Sequence, residues 1–565
     1  MESANVAPGE VPPNGLAGLR HIRHDIISGI VVSLVSLPLS SGIAIASGAP
    51  PIYGLISAII AGLIFPFVGG AYLTISGPAA GLAPALLAIM VSFGGAGDAD
   101  TIGAGYHFLL VVIFLVGCIQ MLMALARLAR FAAIIPVSVV EGMLASIGLM
   151  IIVKQLPMLF GFTDKVHAHE FYQYVLEVPR YASGMTPAVC AVSVATLALL
   201  FVLGSLKHIK ALAVVPPQLI AVVVGVILGQ IFGLGRMDGG FLISLPKEAF
   251  HGARLPEFGA LLARTDLWYA AAIGVCTLTM IDAVESLATA MAIDRLDPWH
   301  RRSRPNRLLF AMGLSNVASS LFGGLTIIPG GVKSKVNIAS GGRTLWANFT
   351  NAICLILYLV VARDLINMIP KGVLAAVLIH TGYKMCEPLV WKHMAHIGRE
   401  QLGIFTFTIV VTLLTDLLWG IVAGVAAKFA LNMVIYRYAV AAQSSTGRLP
   451  SLAESTKAFF ATPVVRSGMV GDEYEIVVNR PVVCFNSMKL DAALGQVPVG
   501  AKRVRILLGE RVGVIDHTAC ENLMHIVAES ARGEVPIRVV GLGEMRRLSE
   551  YANGTHIAAA ALLPA

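Results

Sequence analysis

The sequence has little charge, few cysteines and no recognisable catalytic motif. Only 13% of its 565 residues are charged, against about 25% in a typical soluble protein. Its seven cysteines are scattered and form no CxxC pair, so we interpret them as packing residues, not as metal ligands or disulfides. We find no catalytic triad, metal motif or phosphate-binding loop. From these absences we expect that the protein is not an enzyme and binds no cofactor.

What the sequence does have is long hydrophobic runs. Hydrophobic residues make up 56% of the chain, with a mean hydropathy of +0.79. Runs such as DIISGIVVSLVSLPLSSGIAIASGA and YHFLLVVIFLVGCIQMLMALA reach the ~20 apolar residues that cross a bilayer. The pattern predicts a polytopic α-helical membrane protein. Residues 1–24 lack the apolar core of a cleavable signal, so we expect a cytoplasmic N-terminal segment.

About fourteen membrane segments are predicted between residues 25 and 437. They lie near 26–46, 51–68, 78–93, 106–126, 133–153, 186–203, 212–233, 268–288, 308–323, 331–340, 345–361, 372–386, 402–416 and 418–436. With this count the basic loops all fall on one side, which the positive-inside rule makes cytoplasmic. The net charge of +8 mostly reflects these loops and indicates no nucleic-acid partner. The expected location is the inner (plasma) membrane, with both termini in the cytoplasm.

The pattern changes after the last hydrophobic segment. Residues 438–465 are polar and are predicted to be a linker, and residues 557–565 a tail. Between them, 466–556 alternate strand-like and helix-like stretches, which is typical of a small α/β domain. The predicted strands are in YEIVVNRPVVCF, KRVRILLGERVGVI and PIRVVGL, and the predicted helices in HTACENLMHIVAESARG and GEMRRLSEYANG.

Two membrane segments are interrupted in the same way. Leu73-Thr74-Ile75 precedes Gly77-Pro78, and Leu325-Thr326-Ile327 precedes Pro329-Gly330. The interruptions lie in the third and tenth predicted segments, seven apart, which reverses their direction in the membrane. Interrupted segments at corresponding places in two halves point to a transporter binding site. The free N–H groups at the start of each half-helix favour an anion. The alternative is that glycine and proline only kink two packed helices.

The second interruption is followed by two lysines. A cation at the bilayer centre costs roughly 2.5–3.5 kcal/mol, so it usually has a role or a partner. Lys333 and Lys335 are about 200° apart on a helix, so they cannot face the same cavity. We predict that Lys333 faces inward and Lys335 faces the cytoplasm or a partner. The predicted anion-binding residues are Ser76, Gly77, Ala79, Ala80, Gly330, Gly331, Val332, Lys333 and Ser334.

The eighth segment contains two acids. Asp282 and Glu285 are three residues apart on one helix face, with Ser286 beside them. Three uses compete at this stage: the acids hold Na⁺, they carry a coupling H⁺, or one of them neutralises Lys333. If the ion is Na⁺, we expect Asp282 and Ser286 to be its side-chain ligands.

At this point the sequence resembles the sulfate permease (SulP) family of anion transporters, which includes bicarbonate carriers and a motor protein. The matching motifs are SLPLSSGIAIASGAPPIYGL, ISGPAAG, DAVESLATAMAID, NVASSLFGG, VKSKVNIASGGRT and IPKGVLAAVLIHTGYK. The stretch RILLGERVGVIDHTACENL is similar to the centre of the STAS domain that ends these transporters.

The resemblance implies two inverted repeats of seven segments, with core and gate domains. It implies that the anion lies between the third and tenth half-helices. The family often has arginine where Lys333 stands and glutamate where Glu285 stands. Sodium-dependent members have a threonine at the position of Gly331, and this mismatch weakens a sodium site. Thr518 matches a hydroxyl that is phosphorylated in bacterial STAS regulators, but the neighbouring glycine is absent, which favours a scaffold role.

The sequence thus predicts a secondary transporter of bicarbonate or sulfate, coupled to H⁺ or Na⁺ by alternating access. We expect membrane lipid around it and a homodimer. Three alternatives stay open: an anion channel or voltage-responsive motor of the same fold, a membrane-anchored sensor in which the STAS-like domain carries the function, and a carrier of uracil-like bases. The sensor leaves the paired half-helices unexplained, and the few aromatic residues near the positive site argue against a flat base.

Overall fold

A computed structural model of the chain describes most of the sequence. The described residues are 11–97, 102–129, 135–164, 166, 168, 171–205, 216–245, 255–294, 296–299, 301–415, 417–443, 448–498, 500–530 and 535–558. They form two compact units. The first comprises the described residues of Met1–Ala129 and Leu144–Cys386, and the second those of Arg130–Met143 and Glu387–Ala565.

Fourteen helices of the described chain match the fourteen predicted membrane segments. Eight of the spans that contain them are long and apolar enough to cross a bilayer. Shorter helices between them, α6, α7, α10, α15 and α17, were not predicted. In chain order the helices are α1 Ile22–Ala46, α2 Pro51–Val68, α3 Ala83–Ser92, α4 Tyr106–Leu125, α5 Val137–Phe160, α6 Phe171–Leu176, α7 Val178–Ser183, α8 Pro187–Ser205, α9 Pro217–Ile231, α10 Phe258–Ala263, α11 Trp268–Asp294, α12 Pro305–Leu321, α13 Gly331–Ala339, α14 Trp346–Val361, α15 Arg363–Ile366, α16 Lys371–Cys386, α17 Pro388–Ile397, α18 Arg399–Leu414 and α19 Leu417–Gln443.

The two interruptions fold as short strands inside the first unit. Strand β1, Ile75–Pro78, precedes the half-helix α3, and strand β2, Ile327–Gly330, precedes the half-helix α13. The strands pair with each other in an antiparallel ladder. Because the paired strands run in opposite directions, the two interrupted segments enter the fold with opposite polarity, as an inverted repeat requires.

Close packing of α4 on α12 fixes the surroundings of this ladder. A β-carbon on Gly117 would lie 2.6 Å from the carbonyl oxygen of Gly313, and one on Gly313 would lie 2.6 Å from that of Gly117. Only glycine permits this approach, and small residues at such crossings are typical of membrane helix pairs. One turn further along the two helices, the approach brings Gln120 into hydrogen-bonding contact with Asn316.

The second unit joins the last membrane helices to an α/β domain. The domain contains the helices α20 Leu452–Phe460, α21 Ser487–Leu494 and α22 His517–Ser530, and the strands β3 Val464–Val470, β4 Glu473–Val478, β5 Arg503–Leu508, β6 Val514–Ile515, β7 Ile537–Val540, β8 Arg546–Arg547 and β9 His556–Ile557. Strands β3, β4, β5 and β7 form one sheet in that order, with β5 parallel to both neighbours. A second small sheet has the order β6–β9–β8.

Three expectations for this region need correction. The predicted helix in GEMRRLSEYANG is wrong, because Leu542–Glu544 is a single 3-10 turn and Arg546–Arg547 is a strand. The predicted linker is not uniform: α19 continues to Gln443, and a capping box between Ser451 and Glu454 starts the helix α20. The predicted tail begins too early, because Ile557 belongs to β9.

The α/β domain packs on α19 through a shared apolar cluster. Met433, Ile435 and Ala439 of α19 contact a buried cluster of the domain that includes Phe459 and Val514. The last membrane helix therefore belongs to the core of the second unit.

Candidate functional site

The ladder of β1 and β2 is the centre of the candidate site. Ile75 is paired with Gly330, and Pro78 with Ile327. The pairing places Ile75, the first residue of β1, beside Gly330, the residue immediately before α13. Neither half-helix has a side-chain cap at its N-terminus. The first-turn N–H groups of α13 are therefore available to a ligand, as at other anion sites built on helix N-termini. In α3, Ala83 N donates to Ala80 O and Pro84 has no N–H, so this half-helix offers fewer donors.

Buried side chains satisfy the backbone of β1 beyond the ladder. The amide of Asn348 accepts from Ser76 N at 2.8 Å and donates to Thr74 O at 2.6 Å. Ser334 Oγ accepts from Ile75 N at 2.9 Å, and Asn337 Nδ2 donates to Leu73 O at 2.9 Å. A broken backbone is stable at membrane depth only with such partners. The polar residues of α13 and α14 thus explain why β1 keeps its shape.

A separate set of side chains holds β2. Ser57 Oγ accepts from Leu325 N at 2.7 Å, and Ser319 Oγ donates to Leu325 O at 2.6 Å. Asn316 Oδ1 accepts from Ile327 N at 2.7 Å. These residues come from α2 and α12, so the two strands depend on different helices.

Lys333 lies in the first turn of α13 and faces inward. It is 3% exposed, and its Nζ has no hydrogen-bond partner among the described residues. A β-carbon on Gly77 would clash with Nζ, so the ammonium group lies directly against the backbone of β1. Lys335 is exposed, as the predicted orientation requires. A buried cation without a partner is costly, which indicates that something else compensates it.

The two acids of α11 lie in different surroundings. Asp282 is fully buried, accepts from Asn316 Nδ2 at 2.9 Å and accepts from Ser286 Oγ at 3.3 Å. Glu285 lies against the loop before α3, because a β-carbon on Gly81 would clash with its carboxylate. Glu285 Oε2 has no partner in the described chain. Asp282 is therefore anchored, whereas Glu285 is free to bind.

This geometry bears on the alternative that an acid neutralises Lys333. Because Lys333 Nζ makes no hydrogen bond within the described residues, neither Asp282 nor Glu285 is in direct contact with it. Lys333 and Glu285 instead meet the first interrupted segment four residues apart, at Gly77 and Gly81. The arrangement presents a cation and a carboxylate separately, as a site that binds an anion beside a coupling cation would require.

The other predicted anion-binding residues divide into two groups. Ser76, Gly77 and Ala79 are buried, while Ala80, Gly330, Gly331 and Val332 are partly exposed next to the buried Lys333. Ser334 forms hydrogen bonds with the backbone of both strands, because its Oγ accepts from Ile75 N and donates to Gly330 O at 2.7 Å. Its only hydroxyl proton is thereby used, so Ser334 supports the strands and has no proton to donate to a ligand.

Sequence reasoning missed the buried amides around the ladder. Asn316, Asn337, Asn348 and Gln120 are each fully buried. A polar amide inside an apolar segment is the signal that could have found them, because an amide buried without partners costs several kcal/mol in lipid. The sequence alone does not say which backbone groups they satisfy.

Thr518 lies in the second unit, at the start of α22. It is half-buried, and its Oγ1 accepts from Val137 N at 3.3 Å at the start of α5. The adjacent Asp516 accepts from Asn432 Nδ2, Cys484 N and Ala519 N at 2.8–3.0 Å. This loop is thus bound to membrane helices, which favours the scaffold role over a phosphorylation switch.

The cysteines of this domain agree with their interpretation as packing residues. None of the seven cysteines, all of which lie within the described residues, forms a disulfide. Burial raises the pKa of the Cys520 thiol to about 12, and the charge of Asp516 contributes to the same shift. A thiol with so high a pKa is unreactive at neutral pH.

Comparison with known proteins identifies what this architecture is similar to. The model of the sulfate permease family matches residues 22–434. The bicarbonate transporter BicA of Picosynechococcus sp. is 26% identical over 414 residues, which is 73% of this chain and 70% of that protein. The solved transmembrane domain of a cyanobacterial BicA is 27% identical, with a TM-score of 0.62, and the match covers 71% of this chain and 98% of that domain.

A second solved structure extends the likeness into the C-terminal domain. The overall structure of SLC26A9 is 16% identical, with a TM-score of 0.62, and the match covers 92% of this chain and 84% of that one. At this identity the match concerns the fold alone. It agrees with the strand-containing C-terminal region described above.

Proposed function

The chain belongs to the sulfate permease family of anion transporters, and from that premise we propose that it carries a small inorganic oxyanion, sulfate or bicarbonate. The transport would be secondary active, by alternating access, with H⁺ or Na⁺ as the coupling ion. The family is named for sulfate, and the similar BicA for bicarbonate. Both anions present oxygen acceptors to the same kind of donors.

The observation that carries this proposal is Lys333. Its ammonium group is buried without a partner, beside β1 and at the uncapped start of α13. An anion bound there would receive charge-assisted hydrogen bonds from Nζ and N–H groups from the two half-helices. The partly exposed Ala80, Gly331 and Val332 would form the access to it. The anion would supply the negative counter-charge for the ammonium group of Lys333.

The acids supply a reason for coupling. A bound bicarbonate balances the charge of Lys333 and a bound sulfate exceeds it, so in both cases the two buried carboxylates are left uncompensated. That excess negative charge attracts a cation. Asp282 and Ser286 provide oxygen atoms 3.3 Å apart that suit Na⁺, but Gly331 adds no side-chain oxygen. We therefore favour H⁺, with Glu285 near the anion and Asp282 toward the coupling ion.

The remaining assignments follow from the family and from the basic loops. We propose that the chain lies in the inner (plasma) membrane with both termini in the cytoplasm. We also propose that it functions as a homodimer and that the C-terminal domain supports assembly. With these assignments, the anion path lies among the membrane helices and not in the C-terminal domain.

Uptake into proteoliposomes tests the function. The purified full-length chain is reconstituted, and uptake of radiolabelled sulfate and bicarbonate is measured under imposed Na⁺ and H⁺ gradients. We expect one of the two anions to be taken up and unlabelled anion on the far side to accelerate exchange. A channel would conduct without exchange acceleration, and the absence of transport of both anions would contradict the substrate assignment.

A further inference from the structure

One buried amide joins the coupling acid to the strand that precedes Lys333. Asn316 Oδ1 accepts from Ile327 N at 2.7 Å, and Asn316 Nδ2 donates to Asp282 Oδ2 at 2.9 Å and to Gln120 Oε1 at 2.9 Å. A backbone N–H can only donate, so it fixes which end of the amide faces β2. The NH₂ group must then face the acid.

The connection is specific to one half of the site. Asn348 of α14 is the corresponding amide for the first interrupted segment, but both of its bonds go to backbone, at Ser76 N in β1 and at Thr74 O just before β1. Ser57 and Ser319 hold the backbone two residues before β2, because they bond to Leu325 and to each other. Among the contacts described here, Asn316 alone bonds both to an acid and to a strand of the ladder.

We propose that Asn316 is a positioning residue through which Asp282 sets the position of β2, and with it the start of α13. The inference rests on the proposed function, because it assigns Asp282 to the coupling-ion side and Lys333 to the anion. A carboxylate forms a hydrogen bond roughly twice as strong as a neutral acceptor does. Whatever Asp282 binds therefore changes its hold on Asn316. Since Asn316 is a single rigid amide, the change reaches Ile327 N directly.

The swap of the two residues tests this connection. Asn316→Asp keeps an acceptor for Ile327 N but turns a second acceptor toward Asp282, so the link to the acid is lost. In the Asp282→Asn background the introduced amide can donate to the new carboxylate, and the chain of hydrogen bonds is restored. We expect N316D to weaken anion binding about tenfold alone and roughly threefold or less beside D282N.

Asn348→Asp is the matched control. It changes the same amide to the same acid, in the same ladder, but at a residue whose two bonds avoid Asp282. Its effect on anion affinity should be the same, within about twofold, with Asp282 or Asn at position 282. An N316D effect that is equally independent of position 282 would overturn the proposal.

Calorimetric titration of the purified full-length chain at constant ionic strength measures these affinities, with sulfate, bicarbonate and chloride as ligands. If wild type binds only chloride, the oxyanion assignment fails, while the cycle still tests Asn316 with chloride. If wild type binds none of the three, both proposals fail. If N316D does not fold but D282N/N316D folds and binds, the restored chain supports the proposal. If neither folds, it is overturned.

Discussion

In the first interrupted segment, β1 leads through Gly81 to α3, a helix without a charged side chain; in the second, β2 leads at once to α13, which carries Lys333, Ser334 and Asn337. The backbones are paired and antiparallel, but the chemistry is not symmetric. Ser334 and Asn337 hold the backbone of β1 and of Leu73 just before it, whereas within the described residues no side chain of α3 forms a hydrogen bond with β2. The second half-helix therefore holds the first strand and also supplies the cation.

This difference shows how a repeated backbone can serve two tasks. The first segment has no side chains at Gly77 and Gly81. The side chains of Lys333 and Glu285 can therefore lie directly against its backbone. The second contributes charge and bracing. Substitutions in each segment can test this division.

The largest effect is expected from the cation itself. Lys333→Ala should weaken anion binding about 10- to 100-fold, because a hydrogen bond from a charged group contributes roughly 1.5–3 kcal/mol. Lys333→Arg should keep part of the affinity. Calorimetric titration measures it, and Lys335→Ala, at the exposed lysine two residues on, is the control. Wild-type affinity in the Lys333→Ala variant would remove Lys333 from the site.

A smaller loss is expected when the first segment is obstructed. Gly77→Ala places a methyl group where Lys333 Nζ lies, so the ammonium group must move. We expect roughly tenfold weaker binding, about 1.4 kcal/mol. Gly403→Ala is the control, because a β-carbon at this position, in α18 and outside the site, would have no heavy atom within 4 Å. Equal affinities of the two variants would show that close approach at Gly77 is unimportant.

The two acids should affect different properties. Asp282→Asn should reduce the dependence of uptake on the cation gradient by about fivefold, near the lower end of typical coupling energies. Glu285→Gln should mainly change anion affinity or turnover, because Glu285 lies against Gly81 in the first segment. Uptake into proteoliposomes distinguishes these effects: H⁺ coupling gives a pH-dependent rate without Na⁺, and Na⁺ coupling gives saturation at fixed pH. Fully coupled, equally fast transport after neutralising both acids would assign them a structural role.

The smallest effect on binding is expected from the second unit. Asp516→Ala removes an acceptor from three buried donors, each worth about 1–3 kcal/mol when left unpaired. The melting temperature should fall, yet anion affinity should stay within about twofold. A chain that ends at Gln443 should likewise bind if it inserts, although it exposes the apolar cluster on α19. Loss of all binding in a well-folded Asp516→Ala variant would give this unit a part in the site.

Much of this arrangement could be predicted from local pattern. Runs of apolar residues located all fourteen helices, with ends up to seven residues from those observed, since length and hydrophobicity alone decide whether a segment crosses a bilayer. The repeated Leu-Thr-Ile before glycine and proline located both interruptions, and the 100° rotation per helix residue separated Lys333 from Lys335. These features depend only on residues close together along the chain, so the sequence is enough to predict them.

Tertiary structure alone decided the partners across the fold. Asn316 meets Gln120, 196 residues away along the chain, only because Gly117 and Gly313 let α4 and α12 touch. Ser334 reaches Ile75 across 259 residues, and Lys333 reaches Gly77 only because β1 and β2 pair in one register. The GEMRRLSEYANG stretch was mistaken for a helix because its pairing with β9 is invisible to a local pattern. Hydrogen bonds and charges act at a few ångströms in space, and the sequence records only distance along the chain.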